Sequence, residues 1–158
     1  SVGFHVLVSD DRASFASREH HPAADELHCG EIAELARRIA PAEDHYVLAV
    51  TRGHDQDGDV LEALFHARAR PKYLGMIGSR AKKVQLFEQL RARGVDAGFL
   101  ERVRTPMGLP IGARTHEEIA VAVVAELISV RRLGADADQR FGYGAGPDGK
   151  RDPTCALD

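Results

Sequence analysis

Tyr46-Val47-Leu48-Ala49-Val50-Thr51-Arg52-Gly53-His54-Asp55 is the stretch on which the fold turns. Its first five residues leave a strand no polar face, and the next five are the small and polar residues that follow a strand tip. A strand that is apolar on both sides belongs in a mostly parallel sheet covered by helices, because a sheet with one wet face would alternate. Parallel strands are joined by helical crossovers, so helical periodicity is expected on both flanks.

Working outward, strand-like runs recur at residues 5–9, 26–29, 45–51, 73–77 and, more weakly, 103–106. Helical patterns fall between them. Residues 30–39 keep Ile32, Leu35, Ala36 and Ile39 on one face, residues 57–68 group Val60, Leu61, Leu64 and Phe65, and residues 80–93 group Val84, Leu86, Phe87 and Leu90. A short helix is expected over 96–102. A long one starts at Thr115, where Thr-His-Glu-Glu forms a capping box with Glu118 three residues after the cap. The following residues 119–130 are apolar nearly all round, which predicts a helix buried against the sheet and a second subunit. From residue 134 the chain turns to Gly, Asp and Pro and reads as a tail. The expected organisation is one α/β domain over 1–133 and a tail over 134–158.

The chain opens Ser1-Val2-Gly3-Phe4-His5-Val6-Leu7-Val8-Ser9-Asp10-Asp11-Arg12. A glycine, a short apolar run and a terminal acidic pair are the second strand of a dinucleotide-binding unit, whose glycine-rich loop lies about 20 residues earlier. The sheet is therefore expected to be Rossmann-like, with its first βα unit missing from this chain.

Composition narrows the partners. With 158 residues, 44% hydrophobic and 28% charged, the chain can bury a real core. A net charge of -3 without long blocks of one sign gives no footprint for nucleic acid or anionic membrane. Two cysteines, Cys29 and Cys155, stand far apart outside any CxxC spacing. Neither a disulfide framework nor a structural zinc site is indicated, which points to the reducing cytoplasm. The apolar run 119–130 is too short to span a bilayer.

In a parallel sheet, ligands bind at the carboxyl ends of the strands. Four stretches stand there. Asp10, Asp11 and Arg12 end the first strand: Asp10 suits ribose recognition or a turn cap, and Arg12 suits a phosphate or pairing with Asp10. Thr51 and His54 follow the third. Gly75-Met76-Ile77-Gly78-Ser79-Arg80 turns the fourth strand into a helix, with Ser79 able to cap and Arg80, Lys82 and Lys83 in the first turn. Cations there oppose the helix dipole, which makes sense with an anion seated beside them, although a tight turn with solvated lysines explains the stretch as well. Gly108 and Gly112, between Pro106 and Pro110, build a rigid loop whose amides lead to Thr115, a second candidate anion site or a plain crossing. His54, Asp55 and Asp57 resemble metal ligands in type, as do His20, His21, His28 and Cys29, but none has ligand spacing, and no metal site is expected. No nucleophile and base pair is apparent.

In this order and spacing, the stretches ending in Asp10-Asp11-Arg12, Asp25-Glu26-Leu27-His28-Cys29-Gly30, Thr51-Arg52-Gly53-His54-Asp55, Gly75 to Lys82 and Pro106 to Val121 resemble the C-terminal domain of the XdhC/CoxI family, accessory proteins of xanthine dehydrogenase and related molybdenum hydroxylases. The resemblance spans Gly3 to about Arg132. It implies a Rossmann domain that follows a separate N-terminal domain, in a protein that binds molybdenum cofactor (molybdopterin), protects it through sulfuration and delivers it to the apo-hydroxylase. A molybdenum hydroxylase client and a sulfurtransferase are the implied partners, with a homodimer expected from the apolar last helix. The family's first strand and glycine loop have no counterpart in the sequence, and His116 stands where the family often has proline. The tail ending Asp152-Pro153-Thr154-Cys155-Ala156-Leu157-Asp158 resembles the cysteine-bearing ends of some relatives.

Three functions follow. The first is a cofactor chaperone rather than an enzyme, in which Asp10, Asp11 and Arg12 contact a sugar or its phosphate, while Gly78 to Arg80 and Gly108 to Thr115 offer amides to phosphate or pterin. The second is an NAD(P)-dependent oxidoreductase or dinucleotide sensor, against which stands the lack of a G-x-G-x-x-G. The third is a structural dimerisation module.

Overall fold

A computed structural model describes residues 2–134, with His54, Arg80 and Ala81 described by their backbone alone. The tail from residue 135, Cys155 included, lies outside the described residues. The elements in chain order are β1 (Leu7–Asp10), β2 (Glu26–Cys29), α1 (Ile32–Ile39), β3 (Tyr46–Ala49), α2 (His54–His66), β4 (Tyr73–Met76), α3 (Arg80–Ala92), α4 (Ala97–Glu101), β5 (Val103–Arg104) and α5 (His116–Leu133). The chain divides into two compact units, one up to Met107 and one from Gly108.

Every strand pairing is parallel. In the first unit β1 pairs with β2, Leu7 opposite Glu26, and β3, β4 and β5 follow one another, Tyr46 opposite Tyr73 and Leu74 opposite Val103. The structure holds a parallel pair, β1 and β2, and a parallel triplet in the order β3, β4, β5. Parallel strands with helices among them are the α/β arrangement that the strand–helix alternation predicts. Arg52 and Asp11 connect the tips of β3 and β1 at 2.6 Å, and the Phe4 ring meets Tyr46 edge-on at 5.0 Å.

Local chemistry sets the helix limits. Glu31 caps α1 by accepting the N–H groups of Ala33 and Glu34, Asp96 caps α4 through Phe99, and Ser79 caps α3 through Lys82. Two starts differ from the periodicity by more than one residue: α1, expected from residue 30, begins at Ile32 after its Glu31 cap, and α2, expected from residue 57, begins at His54. Gly53 is extended and its carbonyl accepts the Asp57 N–H at 3.1 Å, which closes a first turn too polar to show an apolar face. The core is built from that helix, β4 and α3: Val60, Leu61 and Leu64 pack with Leu74, Met76, Leu86, Phe87 and Leu90, closed by Leu100 and Val103.

In the second unit the loop from Gly108 runs along α5. The Leu109 N–H reaches the Ala122 carbonyl at 3.1 Å, and a Cβ on Gly108 would stand 3.2 Å from the Val123 nitrogen. Gly108 also has φ 99, so both conformation and space require glycine there. The apolar last helix is buried along one side only. Ala122, Val123, Leu127 and Val130 are buried with Glu126 and Ser129, whereas Val121 is 61% exposed.

Gly75 is the tightest point of the sheet. A Cβ there would lie 2.6 Å from the Tyr73 ring, which is itself fully buried and has no room to swing away. Gly75→Ala is expected to destabilise the protein by about 1–3 kcal/mol through overpacking, seen as a lower urea midpoint at unchanged slope.

Candidate functional site

Because β3 and β4 run parallel, their carboxyl ends lie side by side, and α2 and α3 begin there. A cavity of about 300 Å³ opens at this place, lined by Thr51, Arg52, Gly53 and Asp57 from the β3–α2 turn and by Ile77, Gly78 and Lys82 from the β4–α3 turn. Its volume lies at the small end of the range for ligand sites.

The groups around it have opposite characters. Asp57 is only 2% exposed, and its Oδ1 accepts the Thr51 hydroxyl at 2.6 Å. The same Thr51 hydroxyl lies 2.9 Å from the Gly53 carbonyl, so one side chain fixes the turn and the carboxylate together. Lys82 is exposed in the first turn of α3, which carries no acidic residue. Arg52 reaches Asp11 with one guanidinium nitrogen, 2.9 and 2.6 Å from its two oxygens, and Gln56 adds a contact at 3.3 Å. Gly78 has φ 153, a value that side chains disfavour, and the buried Thr105 Oγ1 beside it has no hydrogen-bond partner among the described residues. A cationic rim over a buried carboxylate suits a ligand with an anion at one end and hydrogen-bond donors at the other.

Thr51 and Gly78 therefore meet at the cavity, with His54, Ser79 and Arg80 adjoining it along the chain, and Asp11 is tied to it through Arg52. Asp10 and Arg12 are engaged with each other. The guanidinium donates to both carboxylate oxygens, at 2.9 and 3.0 Å, the Arg12 N–H adds a third bond, and the guanidinium stacks 3.6 Å from the Phe15 ring centroid. Of the alternatives for Arg12, the structure takes pairing with Asp10.

The other two stretches are placed as follows. Gly75 lies one residue before the end of β4, buried, where the lack of a side chain admits the Tyr73 ring. The loop of Gly108, Gly112 and Thr115 uses several of its amides internally. The Gly108 N–H goes to Glu126 at 2.6 Å, those of Arg114 and Thr115 go to Glu118, and the Glu118 N–H returns to the Thr115 hydroxyl. The Glu118 carboxyl is held below its usual range by the backbone N–H groups of Thr115 and Arg114. The anion at this helix start is the protein's own.

Asp57 and Lys82 carry more of the site than the sequence reading gives them. Asp57 stands three, four and seven residues before Val60, Leu61 and Leu64, so a carboxylate on the apolar face of a helix is the available signal. Among the described residues no three of His, Cys, Asp and Glu converge as metal ligands.

The description "XdhC Rossmann domain" matches residues 1–127. The chain belongs to the XdhC family. Among curated relatives of this XdhC domain, "Uncharacterized protein YqeB" of Escherichia coli (strain K12) is 34% identical over 132 residues, 82% of this chain and 24% of that protein. A probable xanthine dehydrogenase subunit of Bacillus subtilis (strain 168) is 29% identical over 131 residues, 83% of this chain and 37% of that protein. The crystal structure of a xanthine dehydrogenase from Bacillus halodurans superposes with a TM-score of 0.68 at 27% identity, covering 94% of this chain and 39% of that one. The XdhC domain thus spans about a quarter to two-fifths of the relatives it matches.

The Asp10–Arg12 pair gives a prediction with a sign. Hydrogen bonds from the Arg12 side chain, helped by its backbone N–H and opposed by partial burial, lower the Asp10 carboxyl from 3.8 to about 2. A lowered folded-state value stabilises the fold above the ordinary carboxylate range, and that contribution is lost as pH falls from about 4 through 2. Arg12→Met is expected to return the Asp10 titration toward 3.8 by carbon-detected NMR and to shift the acid unfolding limb to higher pH.

Proposed function

We propose that this XdhC domain is the ligand-holding part of an accessory protein for a xanthine dehydrogenase-type molybdenum hydroxylase, and that it holds the pterin phosphate of molybdenum cofactor. The observation that carries this reading is the cavity at the ends of β3 and β4, which Lys82, Arg52 and the hydrogen-bonded Thr51–Asp57 pair line together. Those residues fit the group. Lys82 offers charge to a phosphate, the start of α3 offers its dipole, and Thr51 and Asp57 offer oxygen acceptors to the ring end. When bound, the cofactor supplies the molybdenum chemistry of the client enzyme. This chain's residues bind and orient it, and no substrate bond need be broken here, which makes the domain a chaperone rather than an enzyme.

The names of the B. subtilis and B. halodurans relatives support a hydroxylase client. A sulfurtransferase partner and a cytoplasmic location complete the proposal by family resemblance. The exposed Val121 on α5 supports a homodimer.

A dinucleotide, NAD or NADP, is the second reading. It is favoured by the Arg52–Asp11 bridge between the tips of β3 and β1, since dinucleotides bind a doubly wound sheet at the carboxyl ends of its strands.

Titration of the intact protein with molybdenum cofactor, and separately with NADH and NADPH, separates the two. Cofactor binding that weakens about tenfold in Lys82→Ala, the worth of one charge-assisted bond, supports the chaperone reading. Binding of NADH or NADPH with none of the pterin cofactor overturns it.

A further inference from the structure

Asp57 has more acceptor capacity than the fold uses. It shares the apolar face of α2 with Val60, Leu61 and Leu64, where a carboxylate is costly to bury without a partner. Its side-chain partner among the described residues is the Thr51 hydroxyl on Oδ1, and the ion pairs among those residues involve other carboxylates. A carboxylate accepts about four hydrogen bonds. One from Thr51 leaves room for a donor pair, and Asp57 lines the cavity in which such a pair can sit.

The donor pair can be specified from chemistry. A carboxylate binds best to two parallel N–H groups in one plane. A 2-amino-4-oxopyrimidine ring presents this edge, its exocyclic amine beside a ring N–H, and both pterin and guanine contain that ring. Nicotinamide presents one amide nitrogen, and adenine alternates donor with acceptor along its edge. The anionic end of such a ligand then meets Lys82, which is exposed at the same cavity.

We propose that Asp57 is the specificity residue of this cavity and reads the 2-amino and ring N–H edge of a 2-amino-4-oxopyrimidine ligand, with Lys82 on its phosphate. The assignment rests on the reading of the domain as a pterin-phosphate binder and adds which atoms decide the choice.

The test uses three fluorescence or calorimetric titrations of the intact protein. The probes are neopterin phosphate, the matching lumazine phosphate, in which a carbonyl replaces the 2-amino group, and GMP. The wild-type protein is expected to bind the pterin about 10- to 100-fold more tightly than the lumazine, the range for losing a bond to a charged acceptor. Asp57→Asn is expected to erase that preference by weakening the pterin alone. The pterin–lumazine comparison needs no variant, so it decides the matter even where Asp57→Asn folds poorly. Equal binding of pterin and lumazine phosphates, weakened by Lys82→Ala, overturns the role of Asp57 while the pterin-phosphate reading stands. GMP binding with the same Asp57 dependence and no pterin binding keeps the edge recognition and assigns it to guanine. No binding of any of the three overturns both.

Discussion

Parallel strands cannot be joined by tight turns, and the rest of this structure follows from that constraint. Each parallel pairing needs a long crossover, which is helical between β3 and β4 (α2) and between β4 and β5 (α3 and α4) and irregular over residues 11–25 between β1 and β2. With β3 and β4 in register from Tyr46–Tyr73 to Ala49–Met76, their two turns open at the same level, and the space between them is the cavity. The core on the opposite side, from Leu61 to Leu90, holds α2 and α3 against the sheet and so keeps Asp57 and Lys82 at fixed stations.

Two helix starts show how the same dipole serves different ends. At α5 the protein supplies the negative charge itself, with Glu117 and Glu118 in the first turn, both held below the usual carboxylate range by local hydrogen bonds. At α3 the first turn holds no acid and has Lys82 instead. A helix start already satisfied by its own carboxylate has nothing to offer a ligand, whereas one flanked by cations does. Glycine-rich loops alone do not tell these cases apart. The side chain three residues after the cap does.

What can be read from the sequence is what short-range chemistry settles. The capping box at Thr115, the cap at Asp96, the β2 boundaries and the strand–helix alternation follow from residues a few positions apart. Spacing does not show the packing role of Gly75 because a glycine near a strand tip and a glycine under a neighbouring ring read alike until Tyr73, two residues away on the same face, is known to lie over it. Periodicity starts α2 late because His54, Asp55 and Gln56 carry no apolar pattern. The role of Asp57 is masked by nearby acidic residues, and its helical spacing from Val60, Leu61 and Leu64 is what sets it apart in the sequence. The choice between pairing and phosphate binding at Arg12 needs the aromatic shelf of Phe15, which no spacing rule supplies.

The strand pairings also bear on how the polypeptide behaves in solution. β1 and β3 each pair on one side only among the described residues, and Leu7 and Leu48 on these strands are exposed. An unpaired strand edge with apolar side chains beside it is a template for any extended backbone, and proteins usually blunt such edges with lysine or proline. Neither residue occurs within β1 or β3. At these edges open backbone amides and carbonyls beside Leu7 and Leu48 favour pairing with another extended backbone, whatever the net charge.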